Sequence, residues 1–499
     1  MSPKRSPLSE LSVVLLLMFA VLVPRLIVFG VNENFYGDSV MRAELGGRWA
    51  ERPRVIGSFD QGGYQFGPLH IVVLGLLTRA GGSRENVGRW FSLFAAVLSV
   101  VPLYAFTRRS FDRKAAIVAC LGLAAWGMHI QFSTTAASES LSLLLVLATV
   151  ALFAKAVRED HRPSLLAAAL VFNLACATRY DVWLWAPMLC AALALKGRIK
   201  WAVLFLVLGL AFPLAWSFGN WGDRGDPFFP FRFIDDYHRR WFLDGEQLWG
   251  ATYYRLQNLA FWPAIALFTL SPLVAAGGML GVWRAWRERA DLRWLVALIV
   301  VPTILFTFRS TITGSFVPVG RFAVKEVGLL LPFVWFGFQW RPLEKIRPGL
   351  GVAAAALAVG LPSFVGAFTL HREGKWEDSL RPVSPVSTNP VELMRVARFL
   401  AREVNAGGES VILDTDGQYR DLQLAFFSGL PEDRLARYRW EIFPQRLQTA
   451  QPRYLVRIEG GGLEAVTARV GRTLAFNGWQ FTELDGFTAP FHVYRREKP

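Results

Sequence analysis

The sequence predicts a polytopic α-helical membrane protein of about eleven spanning helices, followed by a small C-terminal α/β domain. Apolar residue types make up 53% of the 499 residues and charged types only 19%. The mean hydropathy is +0.31. Long apolar runs recur from residue 11 to about residue 370 and then stop. Most of them approach the roughly 20 residues that a helix needs to cross about 30 Å of hydrocarbon.

Eleven apolar runs are predicted to span the membrane. They must be helices, because a transmembrane barrel would alternate polar and apolar residues. The first run is long for a secretory signal and lacks an A-x-A cleavage site, so we expect it to stay as a helix. The three cysteines lie inside apolar runs and predict no disulfide framework. The predicted spans are residues 11–30, 86–107, 114–130, 137–157, 163–178, 183–195, 200–218, 259–283, 294–308, 321–340 and 349–370.

The net charge of +15 is spread unevenly over the links between these runs. The short links are rich in Lys and Arg, whereas the two long links and the tail are close to neutral. Because basic links stay in the cytoplasm, this pattern predicts a cytoplasmic N-terminus and an extracytoplasmic tail, in a bacterial inner membrane. It also argues against nucleic acid as a partner. The short basic links are residues 1–9, 108–114, 155–162, 196–200, 284–293 and 341–347.

The segment 67–78 tests this topology. Counted as a full crossing, it would place every later basic link on the wrong side. At 1.5 Å per residue it spans only about 18 Å, so we predict a juxtamembrane helix that begins at Pro68 and lies in the outer interface.

Two parts of the chain are distinguished by composition. The predicted membrane domain covers residues 1–370 and includes outer loops at 31–69 and 219–258. A Pro/Ser-rich linker at 371–390 precedes an extracytoplasmic α/β domain at 391–499. In that domain VELMRVARFLAREV has helical spacing, and ESVILDTD, PRYLVRIEGG and FHVYRRE have the composition of strands.

Ionisable residues gather at the predicted outer ends of the helices, where the cost of burying charge favours a functional reason for their presence. Asp38 opens the helical stretch SVMRAELGGRWAE. It is either a helix cap or a carboxylate placed to take a proton from an incoming acceptor. Asp60 and Tyr64 precede the Gly67-Pro68 turn and are candidates to close the same site.

Five fragments, taken in order, resemble the GT-C glycosyltransferases, which include the protein O-mannosyltransferases, the lipid A aminoarabinose transferases and the dolichol-linked glucosyltransferases. The first is the outer loop with its acidic residue, Tyr/Gly-rich stretch and aromatic-x-Pro-Leu. Asp38-Ser39 stands where many relatives carry two acidic residues, and Gly67-Pro68 stands where Pro-Pro is usual. The other fragments are FSTTAASESLSLLL (132–145), ATRYDVWLWAP (177–187), GDPFFP (225–230) and VGRFAVKEVGLLLP (319–332), all on the predicted outer side.

This resemblance implies an inverting glycosyltransferase that moves a sugar from a polyprenyl-phosphate-linked donor to an acceptor hydroxyl at the extracytoplasmic face. The acceptor is a glycan, a lipid or a protein. The matching positions make Asp38 the catalytic base and Arg321 and Arg179 the cations for the donor phosphate. The candidates for binding sugar or acceptor are Asp60, Tyr64, His70, Glu139, Tyr180, Asp181 and His238.

Structural roles compete with these assignments. Glu139 is also placed to cap a helix, Asp181 to pair with Arg179, and Arg321 to anchor at the membrane interface. His238 lies in the mixed run IDDYHRRWF, which is typical of a solvated face. No cofactor is assigned, and a divalent metal ion stays open because carboxylate and His ligands are present without a fixed spacing.

Three other functions stay open from the sequence. A lipid-linked glycan polymerase or ligase would have similar hydropathy but a main loop late in the chain. A secondary transporter would show inverted repeats and charges near mid-membrane. A non-catalytic scaffold would use the tail to bind partners.

Overall fold

The structure is a computed structural model that describes residues 9–34, 37–53, 65–343, 389–416, 420–438 and 443–496. Asp60, Tyr64, the predicted eleventh span at 349–370 and most of the predicted linker lie outside the described residues. The chain forms two compact units. We call Met1–Asn32 with Leu45–Ser387 the membrane unit, and Glu33–Glu44 with Thr388–Pro499 the tail unit.

All the regular secondary structure in the described part of the membrane unit is helical. Helix α2 begins in the tail unit and ends in the membrane unit. Short 3₁₀ turns at Tyr180–Leu184, Gly320–Ala323 and Leu331–Phe333 interrupt the apolar runs of the membrane unit. The helices are α1 (Glu10–Phe29), α2 (Gly37–Glu51), α3 (Pro68–Arg79), α4 (Val87–Leu98), α5 (Val100–Ser110), α6 (Arg113–Ala125), α7 (Gly127–Phe132), α8 (Glu139–Glu159), α9 (Arg162–Thr178), α10 (Trp185–Ala194), α11 (Ile199–Gly209), α12 (Ala211–Arg224), α13 (Phe229–Trp249), α14 (Ala251–Leu270), α15 (Pro272–Glu288), α16 (Arg293–Phe308), α17 (Val324–Leu330) and α18 (Val334–Phe338).

Five helical stretches of the described residues are long and apolar enough to cross a membrane. Their outward side chains are apolar and exposed, such as Phe19, Phe94 and Val207, as expected for surfaces that face lipid. The count of eleven stays a prediction. The five are Glu10–Phe29, Val87–Ser110, Glu139–Glu159, Ile199–Arg224 and Ala290–Thr313.

Three predicted continuous spans are broken in the structure. One is the run 259–283, where Ser271, with a φ of 74°, separates α14 from α15. The run 114–130 ends its first helix at Ala125, and Trp126 adopts an extended conformation before α7. The buried Arg25 guanidinium donates to the Leu123 and Ala124 carbonyls at 3.1 and 3.4 Å. These bonds satisfy carbonyl groups that have no partner within the helix once α6 ends. The run 321–340 is divided into short turns. Pro332 contributes to this division because its nitrogen has no hydrogen to donate.

The two predicted outer loops contain helices. Pro68 begins α3 as predicted, at its first position, and α2 begins at Gly37 within the first loop. The second loop is mostly helical, because α13 fills its centre and α12 and α14 extend into its ends.

The tail unit contains a seven-stranded mixed sheet in the order β2-β1-β3-β7-β6-β5-β4. Strand β1 is parallel to β2 and β3, and β3 is antiparallel to β7. The helix and three strands that were predicted here are all present. The elements are β1 (Val411–Leu413), β2 (Leu435–Arg437), β3 (Tyr454–Ile458), β4 (Ala468–Val470), β5 (Thr473–Phe476), β6 (Trp479–Glu483), β7 (Phe491–Arg496), α19 (Val391–Phe399), α20 (Arg420–Ser428) and α21 (Phe443–Ala450).

Alternation along the central strands divides the apolar core of the tail unit between the two faces of the sheet. Val411 and Leu413 pack in one cluster with α19, whereas Ile412 packs in the other cluster with Leu455. After β1, the Asp414 carboxylate accepts hydrogen bonds from the backbone N–H groups of Ile458 and Leu463 at 3.0 and 2.8 Å. Asp414 therefore connects the turn after β1 to the turn after β3.

Candidate active site

Three polar groups of the site lie where helices end. Helix α8 begins at Glu139, as the sequence predicted, and α9 ends at Thr178. Arg179 follows in an extended conformation, and Asp181 lies in the next 3₁₀ turn. A helix end leaves the chain free to change direction. The turn before α8 and the turn after α9 therefore bring these three side chains together.

An ionic network joins these helix ends to α17. Arg179 Nη1 lies 2.9 Å from Glu139 Oε1, and Arg179 Nε lies 3.4 Å from Asp181 Oδ1. The second carboxylate oxygen of Asp181 lies 2.5 Å from Lys325 Nζ. The side chains are nearly buried, with only 2% of Lys325 and 4% of Glu139 exposed. Charges this deep are stable only when paired, so the network fixes the orientation of Arg179.

Two arginines lie near the Phe322 ring. The Arg179 guanidinium lies 5.5 Å from its centroid and the Arg321 guanidinium lies 5.3 Å from it. Both contacts are favourable cation–π interactions. Two like charges near one ring also repel each other, and an anion bound between them would relieve that repulsion.

His238 packs beside the same ring and is buried. Its ring stacks on Phe316 at 4.8 Å and lies 5.5 Å from Phe322. Nδ1 accepts a hydrogen bond from the Val317 N–H at 3.2 Å. Burial, with Arg321 and Arg309 nearby, lowers the pKa of His238 to about 3. The ring is therefore neutral at physiological pH, and its proton is on Nε2. The prediction of a solvated face does not hold for this residue.

An apolar cavity of about 240 Å³ lies among α14, α15, α16 and α17. Its walls include Trp262, Met279, Ile299 and Leu330, and Glu326 is the one acidic side chain among the described residues that line it. Neither oxygen of the Glu326 carboxylate has a hydrogen-bond partner among the described residues. Glu326 directly follows Lys325, so one turn of α17 joins the ionic network to the cavity.

Tyr180 and His70 support the turns around the site. The Tyr180 hydroxyl donates to the Phe66 carbonyl at 3.0 Å and accepts from Trp216 Nε1 at 2.9 Å. His70 is fully buried, 6.0 Å from the Phe91 ring. Their roles in binding sugar or acceptor stay predictions.

Gly67 allows the start of α3 to approach the end of α9. A Cβ at Gly67 would lie 2.4 Å from the Ala177 carbonyl oxygen and 2.6 Å from atoms of Thr178. Because backbone atoms cannot yield as a flexible side chain can, any larger residue would separate the two segments. This contact gives a physical reason for glycine in the Gly67-Pro68 pair.

Asp38 lies in the first turn of α2 and is half-buried. It falls in the tail unit, whereas the arginines and the ionic network fall in the membrane unit. Its role as the catalytic base therefore stays a prediction from the sequence.

Sequence reasoning missed Lys325, Glu326 and Phe322. The signal was present, because Lys325 lies one helical turn after Arg321 and Lys325-Glu326 interrupts an apolar run. Charges inside such a run are costly enough to require a reason. Among the described residues no group of three or more His, Cys, Asp or Glu side chains has the geometry of a metal site.

Comparisons with known proteins agree with this architecture. The family model for dolichyl-phosphate-mannose-protein mannosyltransferase matches residues 66–221. No curated protein matches the sequence.

Two similar solved structures share the fold. ArnT from Cupriavidus metallidurans in the apo state has a TM-score of 0.64 and 14% identity, over 96% of this chain and 97% of that chain. A further ArnT structure is bound to undecaprenyl phosphate. AglB from Archaeoglobus fulgidus, in complex with an inhibitory peptide and a dolichol-phosphate, has a TM-score of 0.54 and 11% identity, over 90% of this chain and 69% of that chain.

Proposed function

We propose that this chain, which belongs by fold to the GT-C superfamily of membrane glycosyltransferases, moves a sugar from a polyprenyl-phosphate-linked donor to an acceptor hydroxyl with inversion. The transfer takes place at the extracytoplasmic face. The observation that carries the proposal is that the Arg179 and Arg321 guanidinium groups both lie within about 5.5 Å of the Phe322 ring centroid. ArnT binds undecaprenyl phosphate and AglB binds a dolichol-phosphate, which supports a donor of this class.

The proposed reaction is a single displacement at the anomeric carbon. The acceptor oxygen forms a bond to that carbon while the bond from carbon to the phosphate oxygen breaks. The bonding electrons leave with the polyprenyl phosphate, and the proton of the acceptor hydroxyl goes to the Asp38 carboxylate. Inversion follows because attack and departure occur on opposite sides of the carbon.

The arginines stabilise the charge that develops on the departing phosphate. Their guanidinium groups present planar sets of N–H donors that match phosphate oxygens. Arg179 is already held by Glu139 and Asp181, so little reorganisation is needed when the anion binds. Lys325 adds a positive charge behind Asp181 and keeps that carboxylate from repelling the phosphate.

His238 is placed to contribute a neutral donor. Its Nδ1 is occupied by the Val317 N–H, which leaves Nε2–H as the group that can donate to a phosphate or sugar oxygen. The same hydrogen bond anchors the chain that leads into the Arg321 turn, so His238 also positions this arginine.

The apolar cavity is a candidate for the first isoprene units of the donor lipid. Its walls are mostly apolar side chains, with Thr303 and Glu326 among the few polar ones. It also reaches Glu326, the residue that directly follows Lys325 in α17, so a lipid lying there would be close to the ionic network. Burial of apolar chain contributes roughly 0.8 kcal/mol for each CH₂ group, which makes even a short buried length significant.

Binding of undecaprenyl phosphate to the purified full-length protein tests this proposal. Arg321→Gln should weaken the affinity by about tenfold or more, since a charge-assisted hydrogen bond contributes roughly 1.5–3 kcal/mol. Arg293→Gln is the matched control, because Arg293 is exposed and donates to the Trp286 carbonyl. Equal affinity of wild type and Arg321→Gln would argue against a phosphate site at this arginine.

Cysteine labelling tests the proposed face. Val466→Cys in the tail and Lys114→Cys in a predicted cytoplasmic link introduce thiols at exposed positions. An impermeant maleimide should label the first in intact spheroplasts and the second only after the membrane is opened. The native thiols of Cys120 and Cys176 are buried and should give little background, and the half-buried Cys190 is replaced by Ala in both proteins. Labelling of Lys114→Cys in intact spheroplasts would contradict the topology.

A further inference from the structure

Asn389 connects the segment before Asp38 to the rest of the tail unit. Its backbone N–H and its side-chain amide both donate to Glu33 Oε2, at 2.8 and 3.0 Å. The same amide nitrogen donates to the Asn34 carbonyl at 3.0 Å. Asn34 is fully buried and Asn389 is 7% exposed. Hydrogen bonds shielded from water in this way hold the two segments together more strongly than surface contacts do.

Asn389 is itself held by the folded core of the tail. Gln423 Nε2 lies 3.5 Å from Asn389 Oδ1, which fixes the orientation of the amide. Helix α19 begins two residues later, and its Leu393 and Val396 are fully buried in the cluster that contains β1. The amide is therefore presented by a rigid element, which is the condition for holding a functional group in place.

The anchored residues lie just before the predicted base. Asp38 follows Asn34 by four residues, and the segment Glu33–Glu44 belongs to the tail unit. Fixing Glu33 and Asn34 restricts where α2 can begin, and the direction of the first turn determines where its Asp38 carboxylate points.

We propose that Asn389 is a positioning residue, through which the C-terminal domain holds the start of α2 and its Asp38 carboxylate in the orientation needed for catalysis. This inference rests on the proposed function. It gives the C-terminal domain a task in the reaction without requiring the domain to touch substrate. A small error in the position of a catalytic group lowers turnover severely, about 100-fold for 1 Å, so a few hydrogen bonds at this distance matter.

A donor–acceptor exchange in the full-length protein tests the inference. Asn389→Asp places a carboxylate against Glu33 and should lower glycan product by about 10- to 100-fold, while affinity for undecaprenyl phosphate stays unchanged. The double variant Glu33→Gln with Asn389→Asp restores a donor opposite an acceptor and should recover product to within about threefold of wild type. Asn405→Asp is the matched control, because Asn405 lies in the same domain and its side-chain amide donates to the Gly429 carbonyl at 3.4 Å, away from Glu33.

Hydrogen exchange gives a readout that does not depend on the reaction. Amides of Glu33–Glu44 should exchange faster in Asn389→Asp than in wild type, and the double variant should reverse the change. Unchanged exchange, or equal product from Asn389→Asp and wild type, would overturn the inference. A loss of product that Glu33→Gln does not rescue would also overturn it. Asp38→Asn separates the two proposals. A fully active Asp38→Asn protein would refute the assigned base, and with it the catalytic role of Asn389, whereas hydrogen exchange would still test whether Asn389 holds the start of α2.

Discussion

Lys325 Nζ lies 2.5 Å from Asp181 Oδ2, and the same carboxylate faces Arg179 through its other oxygen. The lysine comes from α17 and the aspartate from the turn after α9, so the pair joins segments about 144 residues apart in the chain. Asp181 is thereby held between two cations, and the arginine that we assign to phosphate binding is held by the same carboxylate.

Lys325→Met should lower the thermal stability of the purified protein substantially. Removing one partner leaves a buried carboxylate incompletely compensated, which costs about 3–5 kcal/mol. Combining it with Asp181→Asn removes both charges and should recover most of the melting temperature, but not turnover, because Arg179 loses its support.

The control for this experiment is Arg232→Met. Arg232 pairs with Asp226, but its side chain is 69% exposed, so the change should cost no more than about 1 kcal/mol. Full recovery of turnover in the double variant would mean that the pair serves stability alone.

Asp38→Asn should abolish most glycan product while preserving affinity for undecaprenyl phosphate. Loss of a general base costs about 10²–10⁴-fold in rate, whereas the donor phosphate is assigned to other residues. Mass spectrometry of envelope glycans and glycoproteins should give the same result for the deletion strain and for a strain that carries only the variant.

Asp112→Asn separates catalysis from helix capping. The Asp112 carboxylate accepts from the Ala115 N–H and caps α6, so it provides a carboxylate with a structural role. If Asp38→Asn reduces product no more than Asp112→Asn does, then Asp38 is a helix-capping residue.

Replacements of His238 should separate the effect of its hydrogen-bond acceptor from the effect of its ring packing. His238→Phe keeps a ring to stack on Phe316 but leaves the buried Val317 N–H without an acceptor, which costs about 1–3 kcal/mol. His238→Asn keeps an acceptor near Nδ1 and should be milder in melting temperature and in turnover. A larger loss in His238→Asn would show that ring packing dominates.

The acid sensitivity of the protein provides a second measurement on His238. Because burial lowers its pKa to about 3, the folded state disfavours the proton that an unfolded His takes up below pH 6.5. Its contribution to stability is present above pH 6.5 and is lost as the pH falls from 6.5 towards 3. The melting temperature should therefore fall less steeply over this range in His238→Asn than in wild type.

Asp421 should give the stability of the tail unit the opposite pH dependence. Burial raises its pKa to about 6, opposed by the Arg437 charge and reinforced by Asp416. Its contribution to stability is complete below the unfolded pKa of 3.8 and is lost as the pH rises through 6. A shift of this size corresponds to at most about 3 kcal/mol.

Asp421→Asn should remove the loss of stability that occurs as the pH rises through 6. In the full-length protein, hydrogen exchange of the β1 amides should be slower in the variant than in wild type at pH 7 and similar at pH 4. Faster exchange in the variant at pH 7 would show that the ionised carboxylate stabilises the domain.

The sequence predicted the helix and strands of the tail because short-range patterns determine them. VELMRVARFLAREV repeats its apolar residues at helical spacing, and ESVILDTD provides an apolar strand that ends in a polar turn. The start of α3 at Pro68 and the start of α8 at Glu139 were predicted for the same reason, since local side chains determine where a helix begins.

Other features depend on segments that are far apart in the chain. The break after Ala125 is stabilised by Arg25, about 100 residues earlier, and no window of sequence around Ala125 contains that information. The pairing of β1 with β2 and β3 also joins strands that lie apart in the chain, so no short window of sequence predicts it.

By itself the sequence determined that this is a helical membrane protein with a separate α/β tail and with charged residues concentrated at helix ends, because hydropathy, periodicity and helix-end preferences are properties of neighbouring residues. Only the tertiary structure decided which charges meet. Glu139, Arg179, Asp181 and Lys325 form one network because the start of α8, the turn after α9 and α17 converge, and Arg179 and Arg321 both lie near the Phe322 ring. Partner choice among buried charges depends on distances of a few ångströms, and those distances are fixed by helix packing rather than by spacing along the chain.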